Sequence, residues 1–509
     1  MFKNQPKGLM AAALANMGER FGFYTMMAIL TLFLMSKFGL SGTKAGYIYS
    51  AFYFSIYILA FVGGLIADKT KNFKGTILVG IILMALGYLL IAIPTPTPAP
   101  AGQYGLYMTL TCVGLFVIAF GNGLFKGNLQ ALVGQMYDNP QYSKMRDSGF
   151  SLFYMFINVG AIFAPVFAVA VRNWWVNSHG FEYSSDLSEL CNAFLNNTLS
   201  TDGLAKFESL ATSVGYTGNN LASFASEYLN LFVTGFHYAF AVAIFAMIIS
   251  LVIYVINKKN FPNPTATKKE QGVEDGGMSI EEIRQRLYAL FAVFAVVIFF
   301  WFSFHQNGLT LTLFAKDYTD LSSININLGF TRLVGAELFQ SINPFFVVFL
   351  TPVVLAVFGA LRARGKEPST PKKIAIGMGI AAVAYLLMTL GSTGLPSNAE
   401  VVSMGGLPEA QKVTPFLLVG TYFILTVAEL FISPLGISFV SKVAPPKYQG
   451  MMQGLWLCAT AIGNSLLFIG AIFYEKLSLT TTWMLFVIVC IISMCIMLSM
   501  LKWLERVAK

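Results

Sequence analysis

The sequence predicts an all-α membrane protein of twelve transmembrane helices arranged as two six-helix halves. Three observations carry this. The 509 residues are 56% hydrophobic and only 11% charged, whereas soluble domains carry roughly 25% charged residues. Apolar stretches long enough to cross a bilayer, about 20 residues each, recur twelve times. A polar, Pro- and Gly-punctuated stretch at 257–285 divides them six and six, as expected of a chain built from two repeated halves.

The spans fall near 9–35, 47–67, 75–93, 105–136, 149–171, 232–256, 286–314, 338–361, 372–391, 414–440, 450–474 and 481–503. The opening "MFKNQPKG" leads into an apolar run too long for a cleavable signal, so that run is the first membrane helix. The organisation predicted is an N-terminal half over 1–256, a cytoplasmic linker over 257–285 and a C-terminal half over 286–509. Between spans 5 and 6, the acid-rich insertion 172–231 forms an outer cap or a pair of short helices. In the linker, "MSIEEI" suits a helix start, with Ser279 as N-cap and Glu282 three residues on.

The formal charge of +9 is a matter of topology. With both termini cytoplasmic, most of the 33 basic residues lie on the inner side, as the positive-inside rule requires. A nucleic-acid partner is unnecessary. Cys112, Cys458, Cys490 and Cys495 sit in apolar runs and Cys191 in a loop, so no disulfide framework or metal pattern arises. No HExxH, GxSxG or paired-aspartate motif is present, and an enzyme is not expected.

Charges inside the spans are the informative residues, because each costs about 3 kcal/mol or more at the bilayer centre. In "NMGERFGFY" the first span carries Glu19 and Arg20, with Asn16 one turn before Arg20. Neighbours at i and i+1 do not face each other on a helix, so these two are not expected to neutralise one another. Each points into the bundle, where Asn16, Arg20, Phe23, Tyr24 and Met27 share a face. The fourth span adds Lys126, the seventh His305 and the tenth Glu429. A cavity between the halves would be positive on one wall and negative on the other. That suits a zwitterion: its carboxylate faces Arg20 and Lys126, and its ammonium faces Glu429. Trp301, Trp456, Tyr24 and Tyr57 supply apolar faces with polar tips for what lies between.

These residues resemble a known family. "ERFGFY" is similar to the ExxERFxYY signature of the proton-dependent oligopeptide transporters (the POT, or peptide transporter, family) of the major facilitator superfamily. "FGNGLFKGNLQALVGQMYD" and "RDSGFSLFYMFINVGA" resemble its long signature over spans 4 and 5. "FQSINPFF", "KEPSTPKKIAIG" and "AELFISPLGISFV" resemble its patterns further on, and "GGLIADKTKNFKG" the superfamily's gating loop. The resemblance implies the major facilitator fold, with Arg20 and Lys126 receiving a peptide carboxylate and Glu19 as their salt-bridge partner. It implies that Asn158 and Asn343 bond the peptide backbone and that Tyr24 and Tyr57 contact substrate. Glu429 would hold the amino group, Trp301 and Trp456 shape the pockets, and Asp68 serve gating.

The departures bear on proton handling. The first glutamate of ExxER is Asn16, the first tyrosine of the pair is Phe23, and the proline after the lysine is Gly127. In the seventh span His305–Gln306 stands where an acid usually precedes Gln. The remaining proton carriers are Glu19, Glu429 and His305, and a proton shared between His305 and Glu19 is the coupling expected. The reading that results is a monomeric secondary active transporter of the plasma membrane. It imports di- and tripeptides with protons, without cofactor or metal. Its alternatives are a facilitator or exchanger of another amphoteric or anionic solute, and a non-transporting peptide sensor.

Overall fold

The computed structural model describes residues 5–137, 141–142, 146–262, 278–445 and 448–508. It is almost wholly helical: α1 (Lys7–Phe38), α2 (Gly42–Thr70), α3 (Phe73–Ala92), α4 (Tyr104–Met136), α5 (Arg146–Ser178), α6 (Leu187–Leu195), α7 (Thr201–Ser213), α8 (Leu221–Asn257), α9 (Ile280–Phe304), α10 (Thr310–Tyr318), α11 (Ile342–Ala363), α12 (Thr370–Gly391), α13 (Asn398–Ser403), α14 (Phe416–Val443), α15 (Gln449–Ser465), α16 (Phe468–Lys476), α17 (Leu479–Ser499) and α18 (Leu501–Val507). A two-residue hairpin pairs β1 (Ile326–Asn327) with β2 (Arg332–Leu333). Twelve stretches among the described residues are long and apolar enough to cross a membrane. Backbone donors and acceptors in lipid must be satisfied within each segment, and a bundle of helices does so.

Two spans are broken rather than continuous. The seventh consists of α9, a tight 3₁₀ turn over His305–Gly308, and α10. The eleventh breaks at Leu466–Leu467 between α15 and α16. The polar run HQNG within "WFSFHQNGLTLTLF" is too short to end the apolar span when hydropathy is averaged over a window, which hides the first break from the sequence. Gln306 satisfies backbone freed by both breaks, donating to the carbonyls of Phe302 and Leu467 at 3.2 Å each.

The helices approach closely through small residues, the packing device available where lipid supplies no hydrophobic drive. Gly63 of α2 and Gly123 of α4 face each other so tightly that a Cβ at either would strike the opposing backbone. Short polar caps set the span ends. Ser279 Oγ accepts from Glu282 N at 3.1 Å, so α9 starts at the predicted cap. In the segment between α11 and α12, Glu367 accepts from Arg362 and Lys373, both at 2.6 Å. Those two bonds hold its carboxyl down at about 2, which gives "KEPSTPKK" a structural role as a clasp.

The insertion is narrower than expected. Residues 172–178 continue α5 and 221–231 begin α8, leaving the short helices α6 and α7 as the cap proper. This cap grips the other half of the chain. Lys316 of α10 donates to Glu189 at 2.5 Å, Ser200 Oγ to the Ser403 carbonyl at 2.6 Å, and Arg332 to Glu182 at 3.1 Å. Beside it, Thr43 bonds Glu475 through both its N–H (2.8 Å) and its hydroxyl (2.5 Å). Arg172 at the end of α5 pairs with Glu337, and neither side chain is exposed at all. The rings of Tyr183, Phe232 and Phe236 surround the Arg172 guanidinium at 4.6–5.3 Å. These bonds join the two halves at the cap end of the bundle. Residues 263–277 of the linker, and the Asp68 side chain in the gating loop, lie outside the described residues.

Candidate functional site

The two charges at the centre of α1 correct the expectation that neighbours cannot pair. Arg20 Nε and Nη2 donate to the two carboxylate oxygens of Glu19, each at 2.5 Å. The i, i+1 rule describes Cβ directions. A guanidinium on three methylenes reaches round the helix and meets its neighbour's carboxylate in a bidentate fork, the strongest arrangement open to the pair. Both side chains are buried, 5% and 1% exposed, so mutual neutralisation is what makes their depth tolerable.

A third group completes this cluster, and sequence reasoning missed it. Asn122, one turn before Lys126 on α4, donates its Nδ2 to Glu19 Oε1. Glu19 therefore accepts from Arg20 and Asn122, and Lys126 has no ion-pair partner among the described residues. Its ammonium lies 4.4 Å from the centre of the Tyr57 ring. The predicted role of Glu19 as shared salt-bridge partner of both cations is thus corrected: its described ion pair is with Arg20, and none is described with Lys126. Asn16 is buried, 4% exposed, with its Nδ2 lacking a partner among the described residues.

On the opposite wall, Asn343 of α11 donates to Glu429 Oε2 and to Thr426 Oγ1, both at 2.9 Å. The structure thus brings together two residues, 86 positions apart, that the sequence singled out separately. The phenols of Tyr24 and Tyr57 lie within electrostatic range of both Arg20 and Glu429. They bridge the cationic and acidic walls. Tyr24, Tyr57, Lys126, Asn343 and Glu429 are only half-buried. Asn158 is buried and donates to the Tyr154 carbonyl of its own helix at 3.1 Å. Tyr154, absent from the sequence reading, is 49% exposed and within range of Glu429, Tyr24 and Tyr57.

His305 sits in the 3₁₀ turn of the seventh span. Its Nδ1 meets Asn464 Oδ1 at 2.5 Å, and its ring stacks on Trp301 at 4.9 Å and lies against Tyr53 at 4.7 Å. The contacts of His305 are therefore Asn464 and two aromatic rings, whereas those of Glu19 are Arg20 and Asn122; no described bond joins His305 to Glu19. Trp301 and Trp456 are nearly buried, 6% and 3% exposed. Trp456 lies against Gly436, where a Cβ would collide with its ring, and packs edge-on to Phe294 at 6.1 Å. In this conformation both are walls of the core more than linings of open space.

The arrangement can bind a small solute with separated charges. One wall offers an ammonium with no acid partner among the described residues, beside a guanidinium; the other offers a carboxylate whose one described side-chain partner is an amide.

Comparison with known proteins places the chain in a family. The model of the POT family matches residues 74–272 and 276–484. The peptide transporter YePEPT of Yersinia enterocolitica subsp. palearctica serotype O:3 (strain YE-P4) is 31% identical over 487 residues, covering 91% of this chain and 87% of its own. The dipeptide and tripeptide permease A of Escherichia coli (strain K12) is 25% identical over 470 residues, covering 90% and 83%. Among solved structures, a mutant of the peptide transporter POT in complex with alafosfalin superposes with a TM-score of 0.71 at 24% identity, covering 100% of this chain and 96% of that one. A POT family transporter in complex with 5-aminolevulinic acid gives 0.70 at 22%, covering 100% and 98%. At that identity the structural likeness establishes the major facilitator fold.

Proposed function

The chain belongs to the POT family, and from that premise we propose that it imports di- and tripeptides by proton symport across the cytoplasmic membrane, as a monomer with both termini inside. Lys126 and Arg20 receive the peptide carboxylate, and Glu429 holds the peptide ammonium. Asn343 and Asn158 bond the peptide backbone, while Tyr24 and Tyr57 span the middle and Trp301 and Trp456 bound the side-chain pockets. Asp68 serves the gating loop.

One observation carries the reading. Lys126 stands without a carboxylate while Glu429 holds only an amide and no cation among the described residues. Two half-buried opposite charges, each unsatisfied by its own half, are costly unless a ligand supplies the complement. A zwitterionic peptide supplies both at once. The cap-end bonds belong to a state closed on that side, which positive-inside topology makes the outside. Alternating access then means breaking those bonds while the halves rock about the midplane.

Protons enter at Glu429, Glu19 or His305, the carboxylates and the imidazole among the proposed site residues. Proton binding at Glu429 would release the ammonium, and at Glu19 would free Arg20. The test is counterflow of labelled dialanine in proteoliposomes, repeated with N-acetylated and C-amidated dialanine as competitors. Dialanine is expected to exchange and both blocked forms to compete poorly. Absence of dialanine counterflow overturns peptide transport. Binding without counterflow would mark a sensor, and exchange of another amphoteric solute in place of dialanine would reassign the substrate.

A further inference from the structure

Asn122 sits where α4 packs closely on α2 and α3. A Cβ at its neighbour Gly121 would lie 2.7 Å from the Gly80 carbonyl oxygen, and one at Gly123 would strike the Leu59 carbonyl. Close contact with α3 and α2 thus fixes the backbone on either side of residue 122. The side chain is 1% exposed. Its Nδ2 reaches Glu19 and stands 3.9 Å from Met84 Sδ, while its Oδ1 has no described partner. A buried carbonyl left unsatisfied costs about 1–3 kcal/mol. An apolar residue of the same size would avoid that cost, so what the site uses is the amide's donor end.

Lys126 lies one helical turn along from Asn122, on the same face of α4. It is within electrostatic range of both Glu19 and Arg20. A lysine stem is flexible enough to bring its ammonium to a nearby carboxylate, yet Glu19 accepts from Arg20 and Asn122 and the ammonium rests over Tyr57. We infer that Asn122 is a positioning residue: by donating to Glu19 it holds that carboxylate on Arg20 and keeps Lys126 free of an acid partner and open to the substrate carboxylate. This rests on the proposed role of Lys126. It adds a neutral residue that sets how many positive charges face the substrate.

Without the Asn122 donor, Glu19 can swing to Lys126, and a peptide carboxylate must then displace it. The test is Asn122→Leu, which keeps the size and removes the donor, with two measurements on purified protein. One is the Kd for dialanine. The other is the rate at which acetic anhydride acetylates Lys126, followed by peptide mass spectrometry, which needs no substrate. We expect Kd to rise about tenfold and acetylation of Lys126 to slow at least threefold, because an ion-paired ammonium reacts more slowly. Asn122→Ser, which retains a donor, is expected to recover at least half of each change. Unchanged acetylation of Lys126 overturns the inference whatever the Kd does. So does an equal loss in the Leu and Ser variants, which would make Asn122 a packing residue. Should Asn122→Leu fail to fold, Asn122→Ala is measured instead, and failure of both assigns Asn122 to packing and overturns the inference. Wild-type protein that binds no dialanine overturns the proposed function alone, since the acetylation result still decides the position of Glu19.

Discussion

Neutralising Glu337 is the sharpest available test of how the cap end closes. The Arg172–Glu337 pair has no exposed side-chain surface on either partner and ties α5 to the 3₁₀ turn over Ala336–Ser341. Removing one member of a buried pair costs about 3–5 kcal/mol, because the other charge is left uncompensated. In Glu337→Gln the guanidinium keeps Asn173 Oδ1 at 3.0 Å, the Val334 carbonyl at 3.5 Å and its three aromatic faces, which argues for the lower end, about 3 kcal/mol. If the pair exists only while the cap end is closed, opening lets water reach Arg172, and the open state loses nothing. The equilibrium then moves by the full 3 kcal/mol, roughly 150-fold at 1.36 kcal/mol per decade. Thr31 reports on this. It is fully buried and donates across the halves to the Gly308 carbonyl at 3.4 Å. With the five native cysteines replaced, Thr31→Cys is expected to react about 100-fold faster with a membrane-impermeant thiol reagent when Glu337→Gln is added. An unchanged rate in folded protein would refute the reasoning and make the pair a permanent strut.

Four further outcomes are expected. Glu429→Gln should abolish uptake of peptides with a free amino terminus and Lys126→Ala uptake of those with a free carboxylate, since losing a buried charged partner costs on the order of 3 kcal/mol; dialanine uptake like wild type in both would refute the two-walled site. Asn16→Glu, one turn from Arg20, should supply Lys126 with an acid and alter the pH profile of transport with little change in substrate range, and a profile superimposable on wild type would place residue 16 in packing. Cysteines at Ser200 and Ser403, where the Ser200 hydroxyl donates to the Ser403 backbone carbonyl at 2.6 Å, should be joined by a short bifunctional thiol crosslinker and stop transport, whereas full transport in the crosslinked protein would show that the cap rides along without opening. His305→Gln should keep at least half of wild-type peptide accumulation under an inward proton gradient, because its described contacts are Asn464 and aromatic rings and no carboxylate; loss of accumulation with exchange intact would instead identify His305 as the proton carrier.

Charge in an apolar run is legible because the bilayer makes it expensive, and Glu19, Arg20, Lys126 and Glu429 were found that way. Asn343 was found through the motif it stands in, and its bond to Glu429 could not be read from either segment alone. The cross-half contacts are illegible for a related reason. Arg172 and Glu337 stand 165 positions apart, and nothing in the local pattern of either residue names the other. Asn122 escaped because a neutral amide inside "GNG" looks like any interhelical bond. The break at His305–Gly308 escaped because hydropathy averages over it, and only the backbone groups that Gln306 satisfies reveal it.

The charge count of the cavity ties these residues together. An acid at position 16 would have given the N-terminal wall two carboxylates for its two cations. With Asn16 neutral, one carboxylate faces Arg20 and Lys126, and the bidentate fork commits it to Arg20. Asn122 adds a third donor to the same carboxylate. Both asparagines therefore act in one direction: the first removes an acid that Lys126 could have used, and the second holds the remaining acid away from it. The N-terminal wall keeps one uncompensated positive charge and the C-terminal wall one negative charge, Glu429. A ligand carrying a carboxylate and an ammonium cancels both. A simple anion or a simple cation cancels only one and leaves the other charge half-buried and unpaired. Under the proposed function, this pairing pattern is what would favour a zwitterion over either simple ion.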